Sequence, residues 1–582
     1  MRGIERCYYP GARPVAAKGA TTASRDPRNP RGSGAAAAAR ASGPANEQET
    51  IGVIQRRIVL AAGLCVMAFA LIGLRLVDVG VLKGSVTGAA PVAGDRPADT
   101  RADLLDRNGI VLARDLPVAD LYARPHALSD PHEAAIALAA ATGVSAQRLE
   151  RGFDSRHNYV LVARQLVPDV QNRVLQLGLP GLEFEPALKR YYPEGLAAVQ
   201  VLGSTDPDGN GVDGLELGLD PMLRDTPPGQ SVALALDMRV QYALAHEVEQ
   251  ARETFRARAA GGIVMNVNTG EILAMASLPD ASGEPGAAEA HADPRRNRMA
   301  QDVYELGSVF KIFTFSMAME DHTTRLDEVF PIGSGFHVGR YTIHDAEHMP
   351  AMLSARDILA QSSNAGTAQI ALRSGPTRQR EFLTRLGLLG RVHTELPEVA
   401  APLVPRNWGQ VETATIGFGH GISVSPLSFV TAAAEIVNGG RRIEPTFLKH
   451  DGDARGEQVI KPETSAVMRG LLRYVVTNGT GKKADVPGYD VGGKTGSAEK
   501  VSGRGYVAHR LLTSFCAVFP IENPRYLVFV MLDEPHGTKA THGFALAGFT
   551  AAPLAGQVIA RIAPMLGMPA EGAPVVAAKD ST

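Results

Sequence analysis

The residues with the clearest chemical potential are Ser308 and Lys311, at the start of the apolar stretch SVFKIFTFSMAM. Three residues apart on a helix, the hydroxyl and the amine share one face, about one hydrogen bond apart. Phe310 and Phe313 flank the lysine. Loss of water there disfavours the ammonium, so the neutral amine can act as a base toward the serine. The pair predicts a serine nucleophile with a lysine base, although an isolated Ser-x-x-Lys is usually a capping serine and a solvated lysine.

Two more polar motifs follow downstream. Ser362-Ser363-Asn364 comes after the helical segment LSARDILAQ and is expected in a turn. Lys494-Thr495-Gly496-Ser497 lies in YDVGGKTGSAEK, where glycines within a strand indicate that another backbone approaches closely. Each motif is weak alone, but together and in this order they predict one polar site assembled from three segments.

Two ligand-binding patterns are not favoured by their contexts. Residues 488–495 match the GxxxxGKT pattern of a P-loop, but no apolar strand precedes them and no amphipathic helix follows. Asp206, Asp208 and Asn210 alternate like the first ligands of a calcium loop, but Leu217 stands where the last acidic ligand is required. We interpret the second segment as a turn, and we expect no nucleotide and no calcium.

Composition argues against several other classes of protein. The net charge of −2 does not favour a nucleic-acid partner, and the three cysteines are too scattered for a disulfide framework or a zinc site.

We interpret GFGHG (417–421) as a tight turn near the site. A further polar cluster is interpreted as loop side chains, so no metal and no cofactor are predicted; it comprises His337, His344, His348, Asp345 and Glu347.

The site must be positioned by a domain assigned to residues 230–568. Residues 261–279 are typical of a hairpin of buried strands, and residues 511–520 and 525–533 of two more strands. Residues 551–566 are typical of a closing helix. Strands at both ends of a domain with helical chain between them indicate an antiparallel sheet backed by helices, an α+β fold.

A separate mixed α/β domain is assigned to residues 80–229, beginning with a Pro/Gly-rich linker. Asn108-Gly109 between apolar runs predicts a β-hairpin, and residues 130–178 are expected to be helical. Residues 569–582 are expected to be a flexible tail.

The N-terminal region predicts a membrane anchor. Residues 1–57 carry ten basic and four acidic residues without apolar periodicity, so residues 1–56 are assigned as a disordered basic tail. Ile58–Leu74 is uncharged and bracketed by Arg57 and Arg75, so a single transmembrane helix is assigned within residues 57–79. The positive-inside rule places the tail in the cytoplasm and the rest of the chain outside. A buried core helix and a cleaved signal peptide are the alternatives.

With its three motifs, the chain resembles the class B penicillin-binding proteins, and among them the division-specific FtsI-type peptidoglycan D,D-transpeptidases. The resemblance covers about residues 51–566 and includes RADLLDRNGIVLA (101–113), RYYPEGLAAVQVLG (190–203), DGLELGLD (213–220), IGFGHGISVSPL (416–427) and NGTGKKADVPGYDVGGKTGSAEK (478–500). It implies an elongated pedestal domain followed by a β-lactamase-like transpeptidase domain, in which helices sandwich the sheet.

The resemblance also implies a role for each motif residue. Ser308 would attack the penultimate D-alanine of a stem peptide, Lys311 would be the base, Ser362 would relay protons, and Asn364 would hold Lys311 and the donor amide. Lys494 and Thr495 would bind the terminal carboxylate. Gly496 would let the peptide lie along the strand edge, and the backbone N–H groups of Ser308 and Ser497 would form the oxyanion hole.

This sequence departs from the usual family pattern at three positions. Leu306 replaces proline, Val309 replaces threonine, and Ser497 stands where threonine is more common. None of these changes removes a catalytic group, so they bear on substrate preference rather than on the reaction.

The resemblance leaves several functions open. An elongation-specific paralogue, a D,D-carboxypeptidase, a membrane-bound β-lactamase or penicillin sensor, and a non-enzymatic division scaffold are the alternatives. The basic tail and the stretch VPGYDVGGKTGSAEK favour the division enzyme. Expected partners are stem peptides, β-lactam inhibitors, the membrane and a SEDS-type glycosyltransferase; the expected location is the bacterial inner membrane at the septum, with the catalytic domain in the periplasm.

Overall fold

A computed structural model describes residues 100–154, 157–195, 197–227, 229–279, 295–502 and 505–568, together with Gly63, Val66, Met67 and Ala70. Those four positions are helical and exposed. The remainder of the predicted anchor, the basic tail 1–56 and the tail 569–582 lie outside the described residues. Within the described ranges, no helix has both the length and the apolar character that crossing a membrane requires.

The described residues from 100 to 568 belong to one compact unit, which contains two five-stranded sheets and three two-stranded sheets. Its strands are β1 (Asp103–Leu105), β2 (Val111–Ala123), β3 (Val160–Leu166), β4 (Leu182–Tyr191), β5 (Ser204–Thr205), β6 (Gly211–Asp213), β7 (Ser231–Ala233), β8 (Ala259–Asn266), β9 (Ile272–Leu278), β10 (Val329–Pro331), β11 (Phe336–Val338), β12 (Tyr341–Ile343), β13 (Met352–Ser354), β14 (Gly492–Ser502), β15 (Gly505–Phe519) and β16 (Tyr526–Asp533). Its helices are α1 (Pro131–Thr142), α2 (Ala146–Phe153), α3 (Pro168–Gln176), α4 (Val199–Leu202), α5 (Gly214–Gly218), α6 (Asp220–Asp225), α7 (Met238–Thr254), α8 (Arg298–Gln301), α9 (Lys311–Glu320), α10 (Ala355–Gln361), α11 (Asn364–Arg385), α12 (Gln410–Gly417), α13 (Pro426–Val437), α14 (Pro462–Asn478) and α15 (Ala551–Met565).

The first sheet has the order β3-β2-β1-β7, with β4 also paired to β2. The predicted hairpin is confirmed: β1 and β2 are antiparallel, and Gly109 between them has a φ of +90°, which favours glycine. The prediction that residues 130–178 are helical is wrong in one segment. Val160–Leu166 is strand β3, whose apolar side chains join the core under α1 and α2.

The chain around β7 connects the regions that contain the two five-stranded sheets. This strand pairs in parallel with β1, so residues just after the expected start of the second domain contribute to the first sheet. Immediately beyond it, the backbone N–H of Ala235 donates to Phe447 O at 2.7 Å. Gly214 N donates to the Glu398 carboxylate at 2.7 Å. Backbone and side-chain hydrogen bonds therefore join the two regions.

The second sheet has the order β14-β15-β16-β8-β9, and all of its pairings are antiparallel. This confirms the predicted sheet. Buried side chains of α7 and α15 pack on one face, and those of α9, α13 and α14 pack on the other. The sheet is thus sandwiched between helical layers, and β14 forms one of its edges.

The Gly/Asp-rich segment is a turn, as predicted. Asp206 N donates to Asn210 O at 2.9 Å, and Gly209 has a φ of +80°. The Asp206 carboxylate accepts the backbone N–H groups of Asp208 and Asn210. Among the described residues there is no group of three or more histidine, cysteine or acidic side chains arranged to hold a metal ion.

Candidate active site

Ser308 lies on a 3₁₀ turn, Gly307–Phe310, that leads directly into α9. In a 3₁₀ turn, side chains three residues apart lie almost directly above one another, so Ser308 and Lys311 share one face. Ser308 is half-buried. Phe310 and Phe313 are fully buried with their ring centroids 4.9 Å apart. The turn is therefore held by the core, while its serine reaches the surface of a cleft.

A second turn supports the one that carries Ser308. Gly307 N donates to Gly419 O at 3.2 Å, and a Cβ on Gly419 would lie 2.1 Å from Gly307 O. Gly307 has a φ of +61°, and a Cβ there would lie 2.8 Å from Ser497 O. This confirms that residues 417–421 form a tight turn near the cleft, and it shows that the glycines allow three backbones to meet.

Lys311 is completely buried, and its amine is held by Ser362 and Asn364. Its Nζ donates to Asn364 Oδ1 at 2.8 Å, to Ser362 Oγ at 3.3 Å, and to the Ser362 carbonyl. Burial lowers the pKa of Lys311 well below its ordinary value, and the nearby positive charge of Lys494 lowers that pKa further. The amine is therefore available in its neutral form.

Ser362 takes an unusual backbone conformation at the end of α10. Its φ of +66° is left-handed, which is uncommon for a residue with a side chain. The Ser362 hydroxyl lies between two lysines: Lys494 Nζ donates to it at 2.9 Å, and Lys311 Nζ at 3.3 Å. A single hydroxyl thus connects both buried amines.

Lys494 is also fully buried, and burial lowers its pKa to about 7. Its Nζ donates to Thr495 O at 2.9 Å and to Thr495 Oγ1 at 3.2 Å. The Thr495 hydroxyl is 2.6 Å from that of Thr480. This arrangement presents positive charge and hydroxyl groups at one end of the cleft.

Gly496 and Ser497 lie on β14, the edge strand. A Cβ on Gly496 would lie 2.5 Å from Ser514 Oγ, 2.7 Å from Leu306 O and 2.9 Å from Val309 Cγ1. Glycine therefore lets the edge strand pack directly against the turn that carries Ser308. The Ser497 hydroxyl accepts the backbone N–H of Ala547 at 3.0 Å.

These segments surround a cleft of about 320 Å³. Among the predicted site residues, Ser308, Ser362, Asn364, Thr495 and Ser497 line it, and Lys311 and Lys494 lie behind them in hydrogen-bond contact. A half-buried hydroxyl on the same helical face as a neutral amine, with cationic and hydroxyl groups lining or backing the same cleft, is suited to nucleophilic acyl transfer.

The sequence analysis interpreted Asp345 as a loop side chain, and the structure places that half-buried loop residue behind the site. Its carboxylate accepts the Ser363 hydroxyl at 2.8 Å, Ala365 N at 3.1 Å and the backbone N–H of Asn364. It therefore caps α11 at the residue that holds Lys311. No local signal could have found it, because Asp345 lies 19 residues before Asn364 and α10 comes between them.

Other cleft residues were not predicted as site residues because they come from distant loops. All of them line the wall of the cleft. They are Ala346, Glu347, Met349, Gln361, Thr480, Lys482, Lys483, Leu546, Gly548 and Phe549. Their assembly depends on tertiary packing rather than on any local motif.

Comparison with protein-family models gives two matches. Residues 260–556 match the penicillin-binding protein transpeptidase domain, and residues 97–231 match the penicillin-binding protein dimerisation domain. This chain belongs to the penicillin-binding protein transpeptidase family.

Two curated relatives match this chain along most of its length. The chain is 40% identical over 482 residues to the probable peptidoglycan D,D-transpeptidase FtsI of Caulobacter vibrioides, covering 80% of this chain and 82% of that relative. It is 26% identical over 549 residues to the peptidoglycan D,D-transpeptidase FtsI of Escherichia coli, covering 86% of this chain and 91% of the relative. The resemblance to FtsI-type transpeptidases is therefore confirmed.

Solved family structures share the architecture. Penicillin-binding protein 3 of Mycobacterium tuberculosis, crystallised in complex with aztreonam, is 26% identical with a TM-score of 0.63, covering 81% of this chain and 97% of that one. The same protein in complex with ampicillin gives the same TM-score. The two-domain α+β fold is that of the family.

Proposed function

We propose that this chain is a peptidoglycan D,D-transpeptidase that cross-links stem peptides through an acyl-enzyme on Ser308. The observation that carries the proposal is the Ser362 hydroxyl, which accepts from both buried lysines in the cleft that Ser308 lines. Family membership supports the same reaction, because the relatives are named as peptidoglycan D,D-transpeptidases.

In the acylation step, Ser308 Oγ bonds to the carbonyl carbon of the penultimate D-alanine and gives its proton to the neutral Lys311 amine. The C–N bond to the last D-alanine then breaks. The leaving nitrogen takes a proton through Ser362, whose hydroxyl contacts Lys311, and free D-alanine departs. Asn364 holds the Lys311 amine in place through its 2.8 Å hydrogen bond.

In the second step, an amine of another stem peptide attacks the ester carbonyl and forms the new amide. Its proton returns through Ser362 and Lys311 to Ser308 Oγ. In both steps the backbone N–H groups of Ser308 and Ser497 stabilise the oxyanion, where one donor is typically worth about 3 kcal/mol. Both residues line the cleft, and Gly307 packs against Ser497 O, which supports this role.

Lys494 and Thr495 recognise the terminal carboxylate of the donor peptide. Because burial holds the pKa of Lys494 near 7, an arriving carboxylate restores the preference for the charged form. The donor lies along the free side of β14 as an added strand, and its backbone provides the hydrogen bonds. Lys494, Thr495, Gly496 and Ser497 thus form the substrate-binding segment.

We further propose the finer assignments of domain, membrane and partner. Residues 80–229 form the pedestal, residues 230–568 the transpeptidase domain, and residues 57–79 a single anchor in the inner membrane with the catalytic domain in the periplasm. The FtsI-type relatives support a role at the division septum, and a SEDS-type glycosyltransferase is the expected partner. β-Lactams are the expected inhibitors, since a family member has been crystallised with aztreonam.

Covalent labelling tests the nucleophile. Full-length protein is incubated with a fluorescent penicillin, and the modified peptide is mapped by mass spectrometry. We expect the label on Ser308 and its loss in Ser308→Ala. Ser334→Ala, an exposed serine that does not line the cleft, is the matched control and should label normally. A label that survives Ser308→Ala would exclude the proposed nucleophile.

The acceptor distinguishes a transpeptidase from a D,D-carboxypeptidase. A donor thioester is offered with and without an added D-amino acid amine, and the products are separated by chromatography. A transpeptidase forms the amide product in proportion to the amine. Hydrolysis alone, at every amine concentration, would instead support the carboxypeptidase.

A further inference from the structure

Two lysines that none of the catalytic steps uses lie in the cleft wall. Lys482 and Lys483 occupy the 3₁₀ turn Lys482–Ala484, and both line the cavity that contains Ser308 and Thr495. The chain reaches this turn directly from Thr480, whose hydroxyl is 2.6 Å from that of Thr495. At about 3.5 Å per residue, the Lys482 backbone is within roughly 7 Å of Thr480.

The turn that carries the lysines is anchored to the core of the domain. Gly481 N donates to Val475 O at 3.2 Å, and Ala484 is fully buried in the core shared with α15. The Lys483 ammonium lies 4.3 Å from the centroid of the Phe549 ring, a cation–π contact. Phe549 in turn stacks on Phe544 with centroids 5.2 Å apart. The turn therefore places both lysines beside the cleft, and the aromatic contact orients the Lys483 ammonium.

No acidic side chain in the described part of the chain forms an ion pair with either lysine. Asp485, the nearest acid in sequence, is already bound to Arg473 at 2.7 Å. Glu347 also lines the cavity, and it too forms no ion pair with Lys482 or Lys483 among the described residues. The cleft thus holds two exposed cations in addition to the buried Lys494, which the proposed function assigns to the terminal carboxylate.

We propose that Lys482 and Lys483 form a second anion subsite, which binds a carboxylate of the stem peptide other than its C-terminal carboxylate. The inference rests on the proposed function, and it deepens it by naming the substrate class: peptides with an ionised side-chain carboxylate rather than their amidated forms. Charge-assisted hydrogen bonds from lysine to carboxylate supply the discrimination.

The test uses two synthetic thioester donors that end in the same D-alanyl thioester and differ only in one side chain, carboxylate or amide. Full-length protein is assayed by thiol release, and kcat/KM is measured for both donors. We expect a preference for the acidic donor of about tenfold, the value of one charge-assisted hydrogen bond. The double variant Lys482→Gln, Lys483→Gln should bring that ratio close to one through a loss on the acidic donor.

Two further variants make the result specific. Lys482→Arg with Lys483→Arg keeps both charges and should retain the preference. Lys189→Gln removes an exposed charge from β4 in the first sheet and should leave the ratio at the wild-type value. A wild-type ratio of one, or a preference that persists in the double glutamine variant, would overturn the subsite. Penicillin labelling of Ser308 in the same preparations reports separately on the proposed function.

Discussion

Asp345 accepts the backbone N–H of Asn364, the residue whose side chain holds the Lys311 amine. The carboxylate also accepts the Ser363 hydroxyl, so it fixes the end of α11 that faces the cleft. Three charged or titratable groups face Lys311 from different elements: Asp345 before α10, Lys494 on β14, and His420 in the turn after α12. Burial lowers the pKa of His420 to about 4, which leaves it neutral near pH 7.

Asp345→Asn should shift the pH profile of acylation. The negative charge of Asp345 raises the pKa of Lys311, so its removal lowers that pKa further. The neutral base then persists to lower pH, and the acidic limb of the second-order rate constant for penicillin acylation moves to lower pH. Stopped-flow measurements across pH 5–9 check this. A limb that stays in place, with only a uniform fall in rate, would show that Asp345 acts through packing alone.

Lys494→Met should raise the melting temperature while it impairs acylation by substrates that carry a terminal carboxylate. The folded state lowers the pKa of Lys494 from 10.5 to about 7, so it resists protonation that the unfolded chain accepts. The lowered pKa therefore reduces the free energy of unfolding by roughly 3–5 kcal/mol as an upper limit. This loss of stability is complete below pH 7 and becomes smaller as the pH rises toward 10. Calorimetry should therefore show a larger gain at pH 6.5 than at pH 9.5.

The control for that experiment is Lys539→Met, since Lys539 is exposed. It should show no comparable pH-dependent gain. Equal effects of Lys494→Met at both pH values would contradict the proposed cause, because removal of the buried Lys494 charge, together with its repulsion of Lys311, predicts a larger gain at the lower pH.

Gly496→Ala should reduce acylation by roughly a hundredfold, the effect expected when a reacting group is displaced by about 1 Å. The added Cβ would lie within 3 Å of Leu306 O and Val309 Cγ1, in the turn that carries Ser308. Gly470→Ala is the matched control, because nothing lies within 4 Å of a Cβ at that exposed position on α14. Alanine there should stabilise the helix slightly. Penicillin acylation of Gly496→Ala at the wild-type rate would refute the packing argument.

Glu216→Ala should destabilise the chain by roughly 3–5 kcal/mol, because it leaves two buried cations without their shared partner. Glu216 is fully buried, and its carboxylate accepts from Arg101 at 2.8 Å and from Arg190 at 2.7 Å. Chemical denaturation measures the loss. Glu183→Ala breaks the half-exposed pair with Arg124 and should change stability by less than about 1 kcal/mol. Similar losses for both variants would mean that burial does not govern these pairs.

Local sequence patterns predicted the elements that depend on neighbouring residues alone, such as turns and strands. The hairpin at Asn108-Gly109 and the strands of the second sheet follow from turn chemistry and apolar periodicity. Strand β3 was missed because it lies between helices α2 and α3, and the helical interpretation was extended across it. The motif residues were found because each motif is contiguous, whereas Asp345 and the walls at 346–349, 480–483 and 546–549 reach the cleft only through packing.

Gly496 shows the same limit at a single residue. Its place in a strand indicated that another backbone approaches closely. The structure shows that the Leu306 carbonyl and the Val309 side chain of the same chain occupy the space beside it. The substrate strand along β14 stays a prediction. A pattern can therefore reveal a spatial requirement without revealing which group imposes it.

The sharing of the Ser362 hydroxyl by Lys311 and Lys494 has an evolutionary consequence. Ser362, Lys311 and Lys494 depend on one another, so almost no substitution at these three positions preserves the reaction. Substitutions that an inhibitor selects must therefore occur at other residues. Met349 lines the cleft from one loop and Leu546 and Phe549 line it from another, and none of the three has a part in proton transfer. Variants that escape β-lactams while preserving cell-wall synthesis should therefore accumulate changes along these walls, leaving the three polar motifs intact.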